Sequence, residues 1–282
     1  MKIIECPRDA MQGLHDFVPT ALKTKYINAL LSAGFDTIDF GSFVSPKAIP
    51  QMRDTAAVLE GLDLSKTSSK LLAIVANERG AMDAASHEQI SFLGYPFSVS
   101  EIFQQRNTNA SIENSLKRVE AIRNICAKSN QELVVYLSMA FGNPYHEAWH
   151  PDLVLGWSER LSKDFDIRIL ALSDTIGSSK PENIEPLFSA CIKELPDVEF
   201  GAHLHTTPDS WREKIESAYH AGCRRFDGAL KGFGGCPMAA DDLTGNMPTE
   251  KMISWFNEQE IECLVDENIL VECLKISQEI FS

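Results

Sequence analysis

The chain has 282 residues, and its content of 44% hydrophobic and 23% charged residues is that of a globular protein with a sizeable core. A formal net charge of -14 argues against binding to nucleic acid or to an anionic membrane, since both need a basic surface. Seven cysteines without CxxC spacing argue against a disulfide framework and a structural zinc site. The first residues hold no long apolar leader, and no apolar run of about 18 residues follows, so we predict a cytoplasmic protein without a membrane partner.

Short apolar runs rich in β-branched residues recur along the chain from its first residues. Runs of this length and composition are typical of buried strands. We predict eight strands, at Lys2–Glu5, Phe35–Phe40, Leu71–Val75, Gln89–Leu93, Leu133–Met139, Ile167–Ser173, Glu199–His205 and Arg224–Ala229.

The segments between these strands show helical periodicity, and several have proline near the start and glycine just past the end. We predict helices at Ala21–Ala33, Gln51–Leu59, Ala81–Ser86, Ile112–Ser129, Pro151–Lys163, Pro181–Glu194 and Pro208–Ala221. Two more follow the last strand, around Thr249–Asn257 and from about Glu267 to Phe281, and the final one is expected to pack on the barrel or to form an oligomer contact.

Strands that alternate with helices indicate parallel strands joined by crossovers, and eight repeats close naturally into an α/β fold, the (β/α)₈ TIM barrel. A doubly wound open sheet is the alternative, because alternation alone does not show closure. We predict one catalytic domain over residues 1–282. Its barrel strands lie within about 1–230, followed by a glycine-rich mobile loop at 231–246 and a C-terminal helical extension at 247–282.

Polar residues follow the carboxyl ends of several predicted strands, where TIM barrels carry their catalytic groups. Each has a simpler interpretation when taken alone: Arg8 and Asp9 could form a surface ion pair, and Asp174 could form an Asx turn. A common site at one end of the barrel accounts for them together. Its members are Arg8, Asp9 and Gln12 after strand one, Asp39 and Ser42 at strand two, Asp174 after strand six, His203 and His205 on strand seven, and Cys236 and Asn246 after strand eight.

His203 and His205 stand two residues apart, so on a strand their side chains share one face and can bind one metal ion. Two buried core histidines with other partners remain the alternative. A carboxylate oxygen of Asp9 and an amide oxygen of Asn246 would complete a mixed oxygen and nitrogen site. This donor set suits Mg²⁺ or Mn²⁺, and Zn²⁺ is also possible because imidazole favours it.

The glycine-rich stretch Gly232-Phe233-Gly234-Gly235-Cys236-Pro237 allows unusual backbone angles and close approach to a ligand. It holds the Cys236 thiol between a glycine and a proline, where a thiol of suitable pKa can act as a general acid or nucleophile. The chain has neither GxGxxG after the first strand nor GxxxxGK[ST], so this stretch is not a phosphate-binding signature.

In this order, these residues resemble the metallolyase group of TIM barrels and, within it, the 3-hydroxy-3-methylglutaryl-CoA lyase family. The matching segments, spread over nearly the whole chain, are Pro7-Arg8-Asp9 with Gln12, Ser42–Lys47 with Pro50-Gln51-Met52, Ser173–Gly177, His203-Leu204-His205, and Gly234–Pro237 with Gly245-Asn246 and Thr249-Glu250. The resemblance implies cleavage of a 3-hydroxy-3-methylglutaryl thioester into acetoacetate and acetyl-CoA. A related aldolase or lyase for another hydroxyacyl-CoA or 2-oxo acid, and a non-catalytic metal- or acyl-CoA-binding barrel, are the alternatives.

The resemblance also implies a role for each matching residue. Asp9, His203, His205 and Asn246 are expected to bind the metal, and Gln12 and Ser42 to bind the acyl-CoA substrate. Arg8 is expected to polarise the thioester carbonyl, with Asp39 beside it. Asp174 is expected near the reacting hydroxyl, His203 to take the hydroxyl proton, and Cys236 to act as the acid on the mobile loop. A homo-oligomer, most simply a dimer, is expected.

The chain departs from the family pattern at several places, among them Thr206, where the family has aspartate after the second histidine, and one additional residue between Cys236 and Asn246. Asp39 stands where the family usually has glutamate, and Ala10–Leu14 and Tyr95–Ser100 differ from the usual residues. These departures leave the metal site little changed but leave the acyl group and the CoA docking open.

Overall fold

The computed structural model describes residues 1–235 and 244–281, and its central feature is a parallel sheet closed on itself. The strands are β1 (Lys2–Glu5), β2 (Thr37–Ser42), β3 (Lys70–Ile74), β4 (Ile90–Ser98), β5 (Glu132–Ser138), β6 (Ile169–Asp174), β7 (Glu199–Thr206) and β8 (Arg225–Gly228). Each strand pairs with the next along the chain, and β8 pairs with β1. Because the last barrel strand pairs with the first, the sheet forms a closed ring, so the predicted (β/α)₈ barrel is confirmed and the open doubly wound sheet is wrong.

Helices surround this barrel and follow its strands in turn. They are α1 (Pro7–Gln12), α2 (Thr20–Ala33), α3 (Thr55–Glu60), α4 (Glu78–Ala85), α5 (Glu101–Thr108), α6 (Ile112–Lys128), α7 (Pro151–Phe165), α8 (Pro181–Glu194), α9 (Trp211–His220), α10 (Thr249–Glu258) and α11 (Glu267–Phe281). Within the part of the chain that the structure describes, none of them is long and apolar enough to cross a membrane.

Two helices were missing from the sequence-based prediction. The stretch Pro7–Gln12, expected as a loop, is the six-residue helix α1, with proline at its first position where no N–H partner is needed. Helix α5 was not predicted because it is mostly polar and buries only Phe103 and Gln104. The start of α5 is nevertheless marked in the sequence by Ser100, because serine is a preferred residue just before a helix. The Ser100 side chain accepts a hydrogen bond from the backbone N–H of Phe103.

The predicted bounds differ most from the structure in two strands, β2 and β4. Strand β2 begins and ends two residues later than predicted, which places Ser42 inside the strand. Strand β4 was expected to end at Leu93, yet it continues to Ser98 because its backbone keeps pairing with β5 up to Ser138. Gly94 makes this continuation possible, since a Cβ there would lie 2.5 Å from the Ile74 side chain.

The core has two parts, as the alternation of side chains along a barrel strand requires. A large apolar cluster fills the space between the strands and the helices. A smaller cluster includes Leu72, Val134, Tyr136 and Ala171, which alternate with the outward residues and so lie inside the barrel. Above this inner layer, at the carboxyl ends of the strands, polar side chains replace the apolar ones.

A short ninth strand, β9 (Gly245–Asn246), runs antiparallel to the end of β7 and pairs Asn246 with His205. The C-terminal extension then returns along the barrel. Helix α11 packs against α2, and its last residue, Phe281, stacks on Phe233 with ring centroids 4.3 Å apart. The extension thereby reaches the segment that leaves β8.

Candidate metal centre

Three potential metal ligands converge at the carboxyl end of the barrel. One ligand atom from each of Asp9, His203 and His205 lies within 4.8 Å of the others. Asp9 comes from α1, and both imidazoles come from β7, where the spacing of two puts them on one face as the sequence predicted. The three side chains are mostly removed from solvent, which strengthens their electrostatic interactions.

The surroundings of His205 fit a bound cation. Its Nδ1 lies 3.2 Å from the Thr175 carbonyl oxygen, while Nε2 is buried without a hydrogen-bond partner in the described part of the chain. A buried polar atom without a partner is costly, and a divalent cation would satisfy it. Burial, with His203 nearby, lowers the pKa of His205 to about 4, so its imidazole is neutral at physiological pH, as coordination requires.

His203 is held differently, by a charged group. Its Nδ1 lies 3.1 Å from Oδ2 of Asp227, and the edge of the Tyr136 ring packs against the imidazole with centroids 5.3 Å apart. Burial alone would lower the pKa of His203, but the Asp227 carboxylate outweighs burial and raises it. The two histidines therefore differ in basicity although they share one face of β7.

Arg8 lies between two carboxylates. Its Nε donates to Asp39 Oδ2 at 3.0 Å, its Nη2 also donates to Asp39, and its Nη1 donates to Asp9 Oδ1 at 2.9 Å. Burial alone would lower the pKa of Arg8, but Asp39 and Asp9 raise it and keep the guanidinium charged. Burial raises the pKa of Asp39 to about 6, against the opposing effect of Arg8.

Asp9 is the most heavily hydrogen-bonded of the candidate ligands. Besides Arg8, it accepts from Gln12 Nε2 at 2.7 Å and from Asn246 Nδ2 at 2.7 Å. Burial would raise its pKa, but Arg8 and the two histidines lower the pKa of Asp9 to about 2. The carboxylate is therefore ionised over the physiological range and available to a cation.

Asn246 reaches this group through the pairing of β9 with β7. Its amide nitrogen, rather than its oxygen, faces Asp9, and the same nitrogen donates to the Phe233 carbonyl at 2.9 Å. Metal ligation through the predicted amide oxygen would require the Asn246 side-chain amide to rotate by about 180°. The two ends of an amide have nearly the same shape, so this exchange needs no change in packing.

Not all of the predicted site residues come together. Asp174 lies behind His205, where its Oδ2 accepts from Ser179 and from Lys214 Nζ at 2.9 Å; Lys214 in turn donates to the His205 carbonyl at 2.7 Å. Neither Asp174 nor Ser42 lines the cavity that lies beside the candidate ligands. Asp39 does not line it either, but contacts Arg8, which does. Cys236 lies outside the described residues.

A cavity of about 360 Å³ opens directly on the candidate ligands. Strands β5–β7 and helix α1 give it a polar side that includes Arg8, Asp9 and both histidines. The loop after β2, the ends of β3 and β4, and helix α5 give it a mainly apolar side that includes Val44, Ile49, Ile74, Pro96 and Phe103. One cavity thus offers charge-stabilising groups beside a hydrophobic wall.

Sequence reasoning missed Asp227 and the contribution of α5. Asp227 belongs to β8, and its side chain contacts His203 rather than lining the cavity. A usable signal was present, because a carboxylate near the carboxyl end of a barrel strand is in the position where site residues occur. Phe103, Asn107 and Thr108 reach the cavity from α5, whose existence was itself not predicted.

A TIM barrel with a buried carboxylate, two imidazoles and an arginine at the carboxyl ends of its strands belongs to the class of metal-site barrel enzymes. The family model described as HMGL-like matches residues 2–276, and the chain belongs to that family. The predicted family and the predicted enzyme class, a carbon–carbon lyase, are both confirmed.

Several curated and solved proteins are similar to the chain over almost their whole length. "Hydroxymethylglutaryl-CoA lyase YngG" of Bacillus subtilis is 32% identical over 276 residues, which is 97% of this chain and 90% of that protein. "3-hydroxy-3-isohexenylglutaryl-CoA/hydroxy-methylglutaryl-CoA lyase" of Pseudomonas aeruginosa is 31% identical over 94% of this chain and 87% of that protein. The solved structure of an HMG-CoA lyase from Acinetobacter baumannii, in complex with coenzyme A and 3-methylmalate, has a TM-score of 0.90 and 28% identity, covering 99% of this chain and 90% of that one.

Proposed function

We propose that the chain cleaves 3-hydroxy-3-methylglutaryl-CoA into acetyl-CoA and acetoacetate with the help of a divalent cation. The observation that carries the proposal is the convergence of Arg8, Asp9, His203 and His205 at one cavity. Such a cleavage needs a group that activates a tertiary hydroxyl and a group that stabilises a thioester enolate. Membership of the HMGL-like family and the similarity to hydroxymethylglutaryl-CoA lyases support the same reaction.

For the cation we propose Mg²⁺ or Mn²⁺, with Zn²⁺ as the alternative. Asp9, His203 and His205 would hold it, joined by Asn246 through its amide oxygen. A cation bound there acts as a Lewis acid that lowers the pKa of a substrate hydroxyl. Mixed oxygen and nitrogen donors, rather than thiolates, support the choice of Mg²⁺ or Mn²⁺.

Arg8 would stabilise the negative charge that develops on the thioester oxygen. Asp39 and Asp9 hold its guanidinium in place, so no reorganisation is needed when that charge appears. A preorganised donor of this kind is worth about 3 kcal/mol of transition-state stabilisation. Gln12, which donates to Asp9 and also lines the cavity, would help to position the substrate.

The sequence-based prediction gave His203 two roles, metal ligand and base for the hydroxyl proton, and the contact with Asp227 supports only the first. Asp227 occupies Nδ1 of this imidazole, so only Nε2 is left for the cavity. One nitrogen lone pair cannot bind a cation and accept a proton at the same time. We therefore assign His203 to the metal.

Acetoacetate formation from 3-hydroxy-3-methylglutaryl-CoA tests the proposal. The purified protein is assayed with Mg²⁺ or Mn²⁺, beside a chelator-treated sample and a His205→Ala variant. We expect metal-dependent turnover in the wild-type protein and a loss of at least about 100-fold in the variant. Wild-type turnover no higher than that of His205→Ala would refute the proposed reaction.

A second candidate is a 3-hydroxyacyl-CoA with a larger apolar group at carbon 3. The apolar side of the cavity, with Val44, Ile49 and Phe103, favours it. The Pseudomonas aeruginosa relative is named for both a methyl and an isohexenyl substrate. The ratio of kcat/KM for the two CoA thioesters decides between the candidates.

The acyl-CoA partner, the dimer and the cytoplasmic location remain parts of the proposal. A solved relative binds coenzyme A, which supports the first. Leu264 and Val271 on the C-terminal extension are 77% and 53% exposed, which supports a partner surface there. Sedimentation tests the dimer, and cell fractionation tests the location.

A further inference from the structure

Both candidate histidine ligands are anchored to the protein through the same ring atom. Nδ1 of His205 faces the Thr175 carbonyl at 3.2 Å, and Nδ1 of His203 faces Oδ2 of Asp227 at 3.1 Å. A carbonyl or carboxylate oxygen accepts a hydrogen bond from a ring N–H, so each contact places the proton on Nδ1. Each imidazole then keeps the lone pair of Nε2 for another partner.

The two anchors differ in chemistry. Thr175 offers a neutral backbone oxygen, which any residue at that position would supply. Asp227 offers a side-chain carboxylate whose exposure is only 1%, and its Oδ1 has no hydrogen-bond partner in the described part of the chain. The His203 ring therefore accounts for the one hydrogen bond that the described residues give to this carboxylate.

The rest of the environment prevents His203 from turning away. The Tyr136 ring packs against one side of the imidazole, and the His205 ring lies 5.4 Å away between centroids. The Cys6 thiol lies close to His203 and Asp227 on the barrel interior. A carboxylate buried in this setting has a strong preference for a charge-assisted partner.

We propose that Asp227 is a positioning residue that keeps His203 in the tautomer with Nδ1 protonated and so directs the Nε2 lone pair to the metal. The inference rests on the metal site of the proposed function, and Asp227 itself binds neither metal nor substrate. An outer carboxylate of this kind raises the basicity of a ligating imidazole and fixes its orientation.

Manganese titration of the metal-free protein measures the effect without any substrate. We expect Asp227→Asn to raise the Kd for Mn²⁺ by about 10- to 100-fold, because the amide can donate to Nδ1 and so stabilise the wrong tautomer. Asp54→Asn is the matched control: it makes the same change at a carboxylate that is 11% exposed and pairs with Lys23 away from the cavity, and the Kd is expected to be unchanged. An unchanged Kd for a folded Asp227→Asn protein would overturn the inference.

The ring tautomer gives a second readout that does not depend on the variant folding. In nitrogen-15 spectra of the Mg²⁺-saturated wild-type protein, His203 is expected to carry its proton on Nδ1. A proton on Nε2 overturns the inference. Binding of two Mn²⁺ ions, with only the second lost in Asp227→Asn, would make Asp227 a ligand and also overturn it.

Failure of the proposed reaction is a separate outcome. A wild-type protein that binds Mn²⁺ tightly, shows the expected tautomer and forms no acetoacetate would refute the reaction alone.

Discussion

At the scale of residues, the candidate site is a small network of opposite charges. Arg8 contacts both Asp39 and Asp9, and Asp9 also accepts from Gln12 and Asn246. The sequence predicted that these residues share a site, because each follows the end of a barrel strand. It could not predict that Asn246 turns its nitrogen to Asp9, since that orientation depends on which neighbours donate and accept.

The contacts of the Arg8 guanidinium with Asp39 and Asp9 predict that lysine cannot replace Arg8. Arg8→Lys supplies one ammonium group in place of three directed N–H contacts to two carboxylates. We expect kcat for the lyase reaction to fall by about 100-fold or more, and the free energy of unfolding to fall by about 1–3 kcal/mol. Steady-state kinetics and urea unfolding measure the two effects.

Arg160→Lys is the matched control, because Arg160 forms an exposed pair with Asp164 on α7. It should leave both quantities within experimental error. A kcat for Arg8→Lys equal to that of the control would remove Arg8 from the mechanism.

The thiol of Cys236 is expected to deliver a proton to carbon. Cys236→Ala should lower kcat by at least about 100-fold, the scale of lost general acid catalysis, and leave the Kd for Mn²⁺ unchanged because no thiol is among the proposed ligands. Cys263→Ala, a change at a partly buried cysteine of the C-terminal extension, is the control. Equal kcat values for the two variants would contradict the role of Cys236.

At the scale of elements, Glu5 ties β1 to both sides of the glycine-rich segment. Its carboxyl accepts the Leu230 backbone N–H at 2.9 Å and the Thr249 hydroxyl at 2.6 Å. Leu230 lies just before this segment, and Thr249 begins α10 just after it. Strand β1 leads directly into Arg8 and Asp9, so this contact links the segment to the candidate site.

The burial of Glu5 predicts a pH-dependent stability. Burial raises its pKa from 4.5 to about 8, against the opposing hydrogen bonds from Thr249 and Leu230. A carboxyl whose pKa is higher in the folded state contributes its full stability below about pH 4.5 and loses it as the pH rises to about 8. The loss amounts to a few kcal/mol, since one pKa unit corresponds to about 1.4 kcal/mol.

Urea unfolding at several pH values tests this, with Glu5→Gln as the variant that mimics the protonated carboxyl. Relative to Glu5→Gln, the wild-type protein should lose stability between about pH 4.5 and 8 and lose no more above that range. Glu60→Gln, at an exposed position in α3, should follow the wild-type curve. Parallel curves for the wild-type protein and Glu5→Gln would show that Glu5 does not titrate as described.

At the scale of the whole molecule, the C-terminal extension supports the site from outside the barrel. Phe281 at the end of α11 stacks on Phe233, whose carbonyl accepts from Asn246 Nδ2. Asn246 in turn contacts Asp9. A chain of contacts thus connects the last helix to the candidate metal ligands.

This chain of contacts predicts an effect at a distance. Phe281→Ala should lower Tm by a few degrees and raise the Kd for Mn²⁺ a few-fold, because Phe233 and its partner Asn246 become less well held. Gln278→Ala, at an exposed position of the same helix, should change neither quantity. A Phe281→Ala protein with lowered Tm and an unchanged Kd would limit the role of α11 to stability.

The sequence by itself determined the alternation of strands and helices, the shared face of His203 and His205, and the family. These features follow from local backbone periodicity and from motifs of a few adjacent residues. Tertiary structure alone decided the closure of β8 on β1, the contact of Arg8 with Asp39 and the contact of Asn246 with Asp9. Each of these joins distant parts of the chain, and its energy depends on packing and desolvation that no local pattern records. The same holds for Asp227. The sequence placed it in the predicted eighth strand, but its contact with His203 forms only because β7 and β8 lie side by side.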